Sequence, residues 1–160
     1  MGDEQRPPEA EGTWTGAAEA APVSIARRAV VVVNPLSTDI PSLRAAVSAA
    51  EADGWLPSIW VETAAESDGR VARAAAADDV ALVIIAGGDG TIRATVDELH
   101  PTAIPVALVP GGTGNLLARN LDLMADMEAA VRTAFGAGTT RAVDVGQIRL
   151  EHPDGRTQTR

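Results

Sequence analysis

The run Val83-Ile-Ile-Ala-Gly-Gly-Asp-Gly-Thr91 places a predicted strand directly before a glycine-rich turn. Its β-branched apolar residues are typical of a strand that is covered on both faces. The glycines leave the backbone of the turn open to a ligand, because no Cβ atom stands in the way. A turn of this kind usually binds phosphate through its N–H groups. Asp89 adds a carboxylate that repels phosphate unless a metal ion lies between them, so the run indicates a magnesium-nucleotide site.

Predicted strands and helices alternate on both sides of this run. The predicted strands are 28–34, 55–62, 80–86, 104–109 and 140–150; the predicted helices are 41–53, 71–77, 92–100 with Thr91 as N-cap, 116–121 and 127–135. This alternation predicts an α/β fold with a doubly wound, mainly parallel sheet and helices on both faces. Leu116, Leu117 and Leu121 are interpreted as core residues of their helix.

The composition predicts three regions. Residues 1–26 are rich in Pro, Glu, Gly and Ala without a sustained period, which predicts a disordered acidic tail. Residues 27–140 form the α/β domain. Residues 141–160 begin a β-rich C-terminal domain, with a hairpin turn at Pro153-Asp-Gly155 whose second strand is cut off at Arg160. We therefore expect the N-terminal part of a larger protein.

Charge and missing residue types exclude several function classes. The chain has no cysteine, which excludes disulfides and thiolate metal sites. All 13 basic residues are arginine, and a Walker-type P-loop requires a lysine. The net charge of −9 argues against a nucleic-acid partner. No stretch is apolar enough for a bilayer span or a signal peptide, so we expect a cytoplasmic protein.

Polar motifs follow four predicted strands at their carboxyl ends, where open α/β sheets bind ligands. They are Asn34-Pro35, Thr63, residues 87–91 and residues 111–115. Each also has a purely structural interpretation: Asp89 as a helix cap, Asn34-Pro35 as a strand terminator, Thr113 with Asn115 as an N-cap pair. Asp144 is equally compatible with the solvent face of an edge strand. The convergence of four segments on one sheet edge favours a binding site.

In this order, the motifs resemble the catalytic domain of diacylglycerol kinases and related bacterial lipid kinases. The matching segments are Asn34-Pro35-Leu36-Ser37, Gly87-Gly88-Asp89-Gly90-Thr91, Pro110-Gly111-Gly112-Thr113-Gly114-Asn115 and Val143-Asp144-Val145-Gly146. Taken by itself, the second segment does not distinguish lipid kinases from NAD kinases, which share it. The third, followed by Leu-Leu-Ala-Arg119-Asn-Leu, favours the lipid kinases.

The resemblance implies transfer of the γ-phosphoryl group of ATP, with Mg²⁺, to a lipid hydroxyl such as that of diacylglycerol or a sphingoid base. It implies a β-sandwich second domain for the lipid, peripheral contact with the inner face of the membrane, and compatibility with a homodimer. Asp89 is the implied catalytic residue, and Asp89 with Asp144 the implied magnesium ligands. The implied ATP-binding residues are Asn34, Pro35, Ser37, Thr38, Thr63, Gly87, Gly88, Asp89, Gly90, Thr91, Ile92, Arg93, Gly112, Thr113 and Asn115.

The sequence departs from the family pattern at several of these positions. Leu116 replaces a usual acidic residue and Thr38 a usual glycine, while Arg93 and Ala94 replace Asn and Glu. A fragment that ends at Arg160 is expected to bind ATP weakly and to be inactive in transfer. Two alternatives stay open: an NAD kinase-type enzyme, and a non-catalytic nucleotide-sensing module.

Overall fold

The computed structural model describes residues 26–63, 68–100, 102–136, 138–146, 148–151 and 157–159. The predicted disordered tail therefore lies outside the described residues, apart from Ala26. The elements are β1 (Arg27–Val33), α1 (Ile40–Glu51), β2 (Trp55–Glu62), α2 (Arg70–Ala75), β3 (Val80–Gly87), α3 (Asp89–Leu99), β4 (Val106–Pro110), α4 (Leu116–Asn120), α5 (Met127–Phe135), β5 (Arg149–Glu151) and β6 (Thr157–Thr159).

Strands β1 to β4 form a parallel sheet in the order β2-β1-β3-β4. Alternate residues of β1 face opposite sides, as the two-residue period of a strand requires. Val31 and Val33 pack with α1 and α5, whereas Val30 and Val32 pack with α2 and α3. Helices on both faces confirm the predicted doubly wound α/β fold. None of the described helices is long and apolar enough to cross a membrane.

The strand order reverses its direction at β1. From β1 the chain passes to β2 on one side, and it then returns to β3 on the other side and continues to β4. The loops that follow β1 and β3 therefore leave the sheet edge side by side and turn toward opposite faces. A reversal of this kind opens a crevice at the carboxyl ends of the strands, which is where open α/β sheets bind ligands.

Three local predictions are wrong. Helix α3 begins at Asp89 with Gly88 as its N-cap, so Thr91 is not the cap; its side chain is buried instead. The predicted strand 140–150 is a strand only at Arg149–Glu151, and residues 138–146 are exposed coil. Leu116 is 64% exposed, although Leu117 packs against the core as predicted.

The predicted hairpin near the C-terminus is confirmed by the antiparallel pairing of β5 with β6. Its turn, including Pro153-Asp-Gly155, lies outside the described residues. The division between two domains at residue 141 stays a prediction.

Candidate functional site

Asn34 joins the two loops at the strand-order reversal. Its backbone N–H donates to the Ala86 carbonyl at 3.0 Å, and its side-chain Nδ2 donates to Thr91 Oγ1 at 3.4 Å. Its Oδ1 accepts the Leu36 N–H at 3.0 Å, which closes a local Asx turn. The Asn34 side chain thus anchors the β1–α1 loop to the first turn of α3. This contact is an additional role to that of a strand terminator.

The β1–α1 loop carries a buried hydroxyl without a partner. Thr38 Oγ1 donates to the Ala86 carbonyl at 3.2 Å, which holds the loop against the end of β3. Ser37 Oγ is buried and has no hydrogen-bond partner within the described part of the chain. Buried polar atoms are almost always paired, so an orphaned hydroxyl beside a crevice favours a ligand or a water molecule as its missing partner.

Asp39 begins helix α1 just beyond this loop. Its Oδ1 accepts the Ser42 N–H at 3.4 Å and its Oδ2 accepts the Ser42 hydroxyl at 2.6 Å. The bond from the hydroxyl, followed by that from the backbone N–H, lowers the pKa of the Asp39 carboxyl below its usual value. Both bonds favour the charged form of the carboxylate, which is the N-cap of α1.

The two glycine turns, 87–90 after β3 and 111–114 after β4, touch through their backbones. Gly111 N–H donates to the Gly87 carbonyl at 3.1 Å. A Cβ atom added to Gly112 would lie 2.7 Å from Gly88 Cα, and one added to Gly111 would lie 2.8 Å from the Ser37 carbonyl oxygen. These glycines are therefore required for the close approach of three loops, independently of any ligand.

Gly90 differs from every other glycine in these two turns. A Cβ atom at Gly90 would have no neighbour within 4 Å, and its φ angle is not in the left-handed region. Glycine in a helix costs about 1 kcal/mol relative to alanine. Neither packing nor backbone conformation requires this exposed glycine, and the open space beside it leaves room for a ligand to approach the backbone.

The first turn of α3 supplies backbone donors at the same place. The first helical bond runs from the Ile92 N–H to the Gly88 carbonyl at 3.1 Å, so the N–H groups of Asp89, Gly90 and Thr91 have no intrahelical acceptor. The positive end of the helix dipole adds to their attraction for an anion. This arrangement can bind a phosphate group.

The other predicted nucleotide-binding residues fall into different environments. Ile92 is buried in the core beneath α3, so its side chain has a packing role. Thr63 lies at the end of β2 and donates from Oγ1 to the Val33 carbonyl at 3.3 Å. Pro35, Arg93 and Thr113 are exposed at the sheet edge. Arg93 forms no ion pair or hydrogen bond with another described residue, which leaves its guanidinium available to an anion.

Asp89 connects the two glycine turns through one of its carboxylate oxygens. Its Oδ1 accepts the Leu116 N–H at 2.7 Å, and its Oδ2 lies beside Gly114, where an added Cβ would be 2.9 Å away. The described residues contain no group of three His, Cys, Asp or Glu side chains that would form a metal site of protein ligands alone. The Asp89 carboxylate by itself is nevertheless sufficient as the protein ligand of Mg²⁺, because this ion is usually bound by one or two carboxylates together with phosphates and water.

Asp144, the second predicted metal ligand, is exposed in the coil before β5. It forms no hydrogen bond or ion pair with the other described residues. Its role in metal binding stays a prediction.

Asn115 follows the second glycine turn, holds it through its side chain, and itself has a strained backbone conformation. It is 5% exposed and has left-handed backbone angles, φ 49° and ψ 46°. Its side-chain Oδ1 accepts the Gly112 N–H at 3.0 Å, and its Nδ2 donates to the Gly112 carbonyl at 2.6 Å. This reciprocal pair of bonds compensates for a backbone conformation that L-residues rarely adopt.

Replacement of Asn115 by alanine is expected to lower the free energy of unfolding by about 2–3 kcal/mol, because two hydrogen bonds are lost and the strain remains. Asn115→Gly loses the same bonds but relieves the strain, so we expect it to cost about 1 kcal/mol less than the alanine variant. Urea denaturation followed by tryptophan fluorescence measures both. Equal losses in the two variants would contradict the role of the strained backbone.

Sequence reasoning missed three residues that shape this site. The family motif contains Gly111 and Gly114 without indicating their contacts, and it gives no role to Arg119, which donates from Nε to the Gly114 carbonyl at 2.8 Å. The glycines could have been inferred from the close approach of two turns, and the reach of Arg119 from its position near the end of the predicted helix 116–121, since long side chains lean toward the N-terminus of their helix. An open groove between α1 and α5 contains none of the predicted site residues.

Comparison with known proteins identifies similar chains. A family model described as the diacylglycerol kinase catalytic domain matches residues 28–148. The diacylglycerol kinase of Bacillus subtilis (strain 168) is 33% identical over 132 residues, which cover 79% of this chain and 43% of that protein. The diacylglycerol kinase of Mycobacterium tuberculosis (strain ATCC 25618 / H37Rv) is 34% identical over 76 residues, or 48% of this chain and 25% of that protein.

A solved structure agrees with these sequence matches. The crystal structure of a diacylglycerol kinase from Bacillus anthracis str. Sterne aligns with a TM-score of 0.53 and 25% identity. The alignment covers 68% of this chain and 39% of that one. The matches thus span between a quarter and less than half of the length of these relatives.

Proposed function

The chain belongs to the diacylglycerol kinase catalytic domain family, and on that premise we propose that it binds ATP and Mg²⁺ at the edge of the sheet between β1 and β3. As part of a longer protein, it would take part in transfer of the γ-phosphoryl group to a lipid hydroxyl. Mg²⁺ would be held at Asp89 and would neutralise charge on the phosphates.

The open space at Gly90 is the observation that carries this proposal. A Cβ atom at any other glycine of the two turns would meet neighbouring backbone or the side chain of Thr91 or Asp89, whereas one at Gly90 would have no neighbour within 4 Å. A phosphate group fits such a position, because it can approach the backbone N–H groups at the positive end of α3. The unpaired Ser37 hydroxyl and the free guanidinium of Arg93 support a polar, anionic ligand at the same edge.

Phosphoryl transfer suits a site of this composition. The reaction needs positioned phosphates and compensated charge more than it needs a covalent intermediate. The described edge offers backbone donors, one carboxylate and the guanidinium of Arg93, in a chain without lysine. The hydroxyl acceptor and the base that activates it would be bound by other parts of the protein.

Calorimetric titration of the chain with ATP, with and without Mg²⁺, tests the nucleotide site. Radiolabelled transfer by the full-length protein to diacylglycerol, to a sphingoid base and to NAD then tests the reaction. We expect ATP binding that Mg²⁺ strengthens, and label in a lipid product. Label only in NADP would favour an NAD kinase-type enzyme, and ATP binding without transfer to any acceptor would favour a nucleotide-sensing module.

A further inference from the structure

Arg119 reaches back along α4 to the glycine turn that precedes this helix. Its Nε donates to the Gly114 carbonyl at 2.8 Å, five residues earlier in the chain. Long side chains on a helix lean toward its N-terminus, so this reach follows from the position of Arg119 in the last turn of α4. Arg119 forms no ion pair with another described residue. Its one recorded side-chain bond is therefore the one to Gly114.

The Gly114 peptide lies at the centre of the contacts between the two glycine turns. Gly114 lies against Asp89 Oδ2, and the Leu116 N–H donates to Asp89 Oδ1. Its carbonyl belongs to the peptide plane that sets the left-handed φ of Asn115. Rotation of this plane would break the Arg119 bond and change the conformation of Asn115 at the same time. The orientation of one peptide thus couples Arg119 to Asn115 and Asp89.

Asn115 and Arg119 hold the turn from opposite ends. The Asn115 side chain fixes the Gly112 backbone, and the Arg119 side chain fixes the Gly114 backbone. A turn of glycines loses much conformational entropy when it becomes ordered. If the folded protein holds the turn in one conformation, that cost does not reduce the affinity for a ligand.

We propose that Arg119 is a positioning residue for the nucleotide phosphates: its Nε–H fixes the Gly114 peptide and thereby keeps residues 112–116 in one conformation beside Asp89. The identity of the ligand rests on the function proposed above. The ordering of the turn does not, and it can be measured without nucleotide.

Two substitutions of Arg119 separate the hydrogen bond from the charge. Gln carries its amide nitrogen the same number of bonds from the backbone as the Nε of Arg, so Arg119→Gln can keep the donor and lose the charge. Arg119→Ala loses both. Arg132→Ala on α5 is the matched control, since it removes an exposed arginine whose nearest carboxylate is Glu128 at 3.8 Å.

The first measurement is amide hydrogen exchange at Gly112 and Leu116 in nucleotide-free protein. We expect Arg119→Ala to speed exchange at both amides by about tenfold or more, because the hydrogen bond that orders the Gly114 peptide is lost. Arg119→Gln and Arg132→Ala are expected to stay within about threefold of wild type. The second measurement is the dissociation constant for ATP, which we expect to rise about tenfold in Arg119→Ala alone.

Each outcome decides the proposal. Unchanged exchange in Arg119→Ala overturns it, as does an Arg119→Gln variant as defective as alanine, which would make charge the important property. If Arg119→Ala does not fold, the Gln variant alone decides whether the hydrogen bond or the charge of Arg119 is important. Absence of ATP binding by the wild-type protein would refute the proposed function. The exchange rates would still test whether Arg119 positions the turn.

Discussion

Replacement of Asp89 by Asn in the full-length protein is expected to reduce phosphoryl transfer by about a hundredfold or more, because the negative charge that would hold Mg²⁺ is lost. The fold is expected to persist. Asn retains an Oδ1 acceptor for the Leu116 N–H, the bond that the carboxylate makes at 2.7 Å. The substitution therefore removes the charge and spares the connection between the two glycine turns. Initial rates of transfer and thermal unfolding curves measure the two effects separately.

Asp89→Ala provides the complementary variant. It removes both the charge and the acceptor, so we expect the loss of transfer together with a loss of about 1 kcal/mol in stability. Asp97→Asn, an exposed position two turns further along α3, controls for the loss of one negative charge. Wild-type transfer by Asp89→Asn would mean that Asp89 serves only as a hydrogen-bond acceptor, which would refute its assignment to metal binding.

Much of the fold was predictable because its signals are local. The apolar runs that form β1, β2 and β3 end at Pro, Gly or polar residues, and α5 has a regular apolar period. The meeting of the loops after β1, β3 and β4 followed from the same pattern, since parallel strands bring their carboxyl ends to one edge. The resemblance to lipid kinases is confirmed by the family match over residues 28–148.

The directions of individual side chains were not predictable. Thr91 has the residue type of an N-cap, yet α3 begins at Asp89 and Thr91 turns inward to accept a hydrogen bond from Asn34. Leu116 is apolar, yet its N–H is held by Asp89 and its side chain is exposed. Both outcomes depend on contacts with residues 27 or more positions away, which no local pattern contains.

The predicted strand 140–150 failed for a different reason. Its alternation of Val143 and Val145 has the period of a strand, but a strand forms only where a partner strand and a packing surface exist. In the described residues 138–146 both valines are about half exposed and the segment has no paired neighbour. Pairing begins only at Arg149, where β6 supplies the partner.

The contrast between Gly112 and Gly90 provides the second large expected effect. A methyl group at Gly112 would lie 2.7 Å from Gly88 Cα and 3.1 Å from Asn115 Oδ1. A backbone atom cannot move aside as a flexible side chain can, so the two turns must separate. We expect Gly112→Ala to lose about 1–3 kcal/mol of stability, as overpacked sites do, and to lose ATP binding with it. Urea denaturation and calorimetric titration measure these losses.

Gly90→Ala should show the opposite combination. The added methyl group meets no atom within 4 Å and lies in a helix, so stability should stay within about 1 kcal/mol of wild type. It fills the space through which a phosphate would reach the first turn of α3, and we expect ATP affinity to fall about tenfold or more. Asp97→Ala, on the same helix, is the control for a change in helix propensity. The added methyl group would remain in the space that a phosphate needs, because no described residue displaces it. Wild-type ATP affinity in Gly90→Ala would therefore mean that no phosphate approaches this backbone.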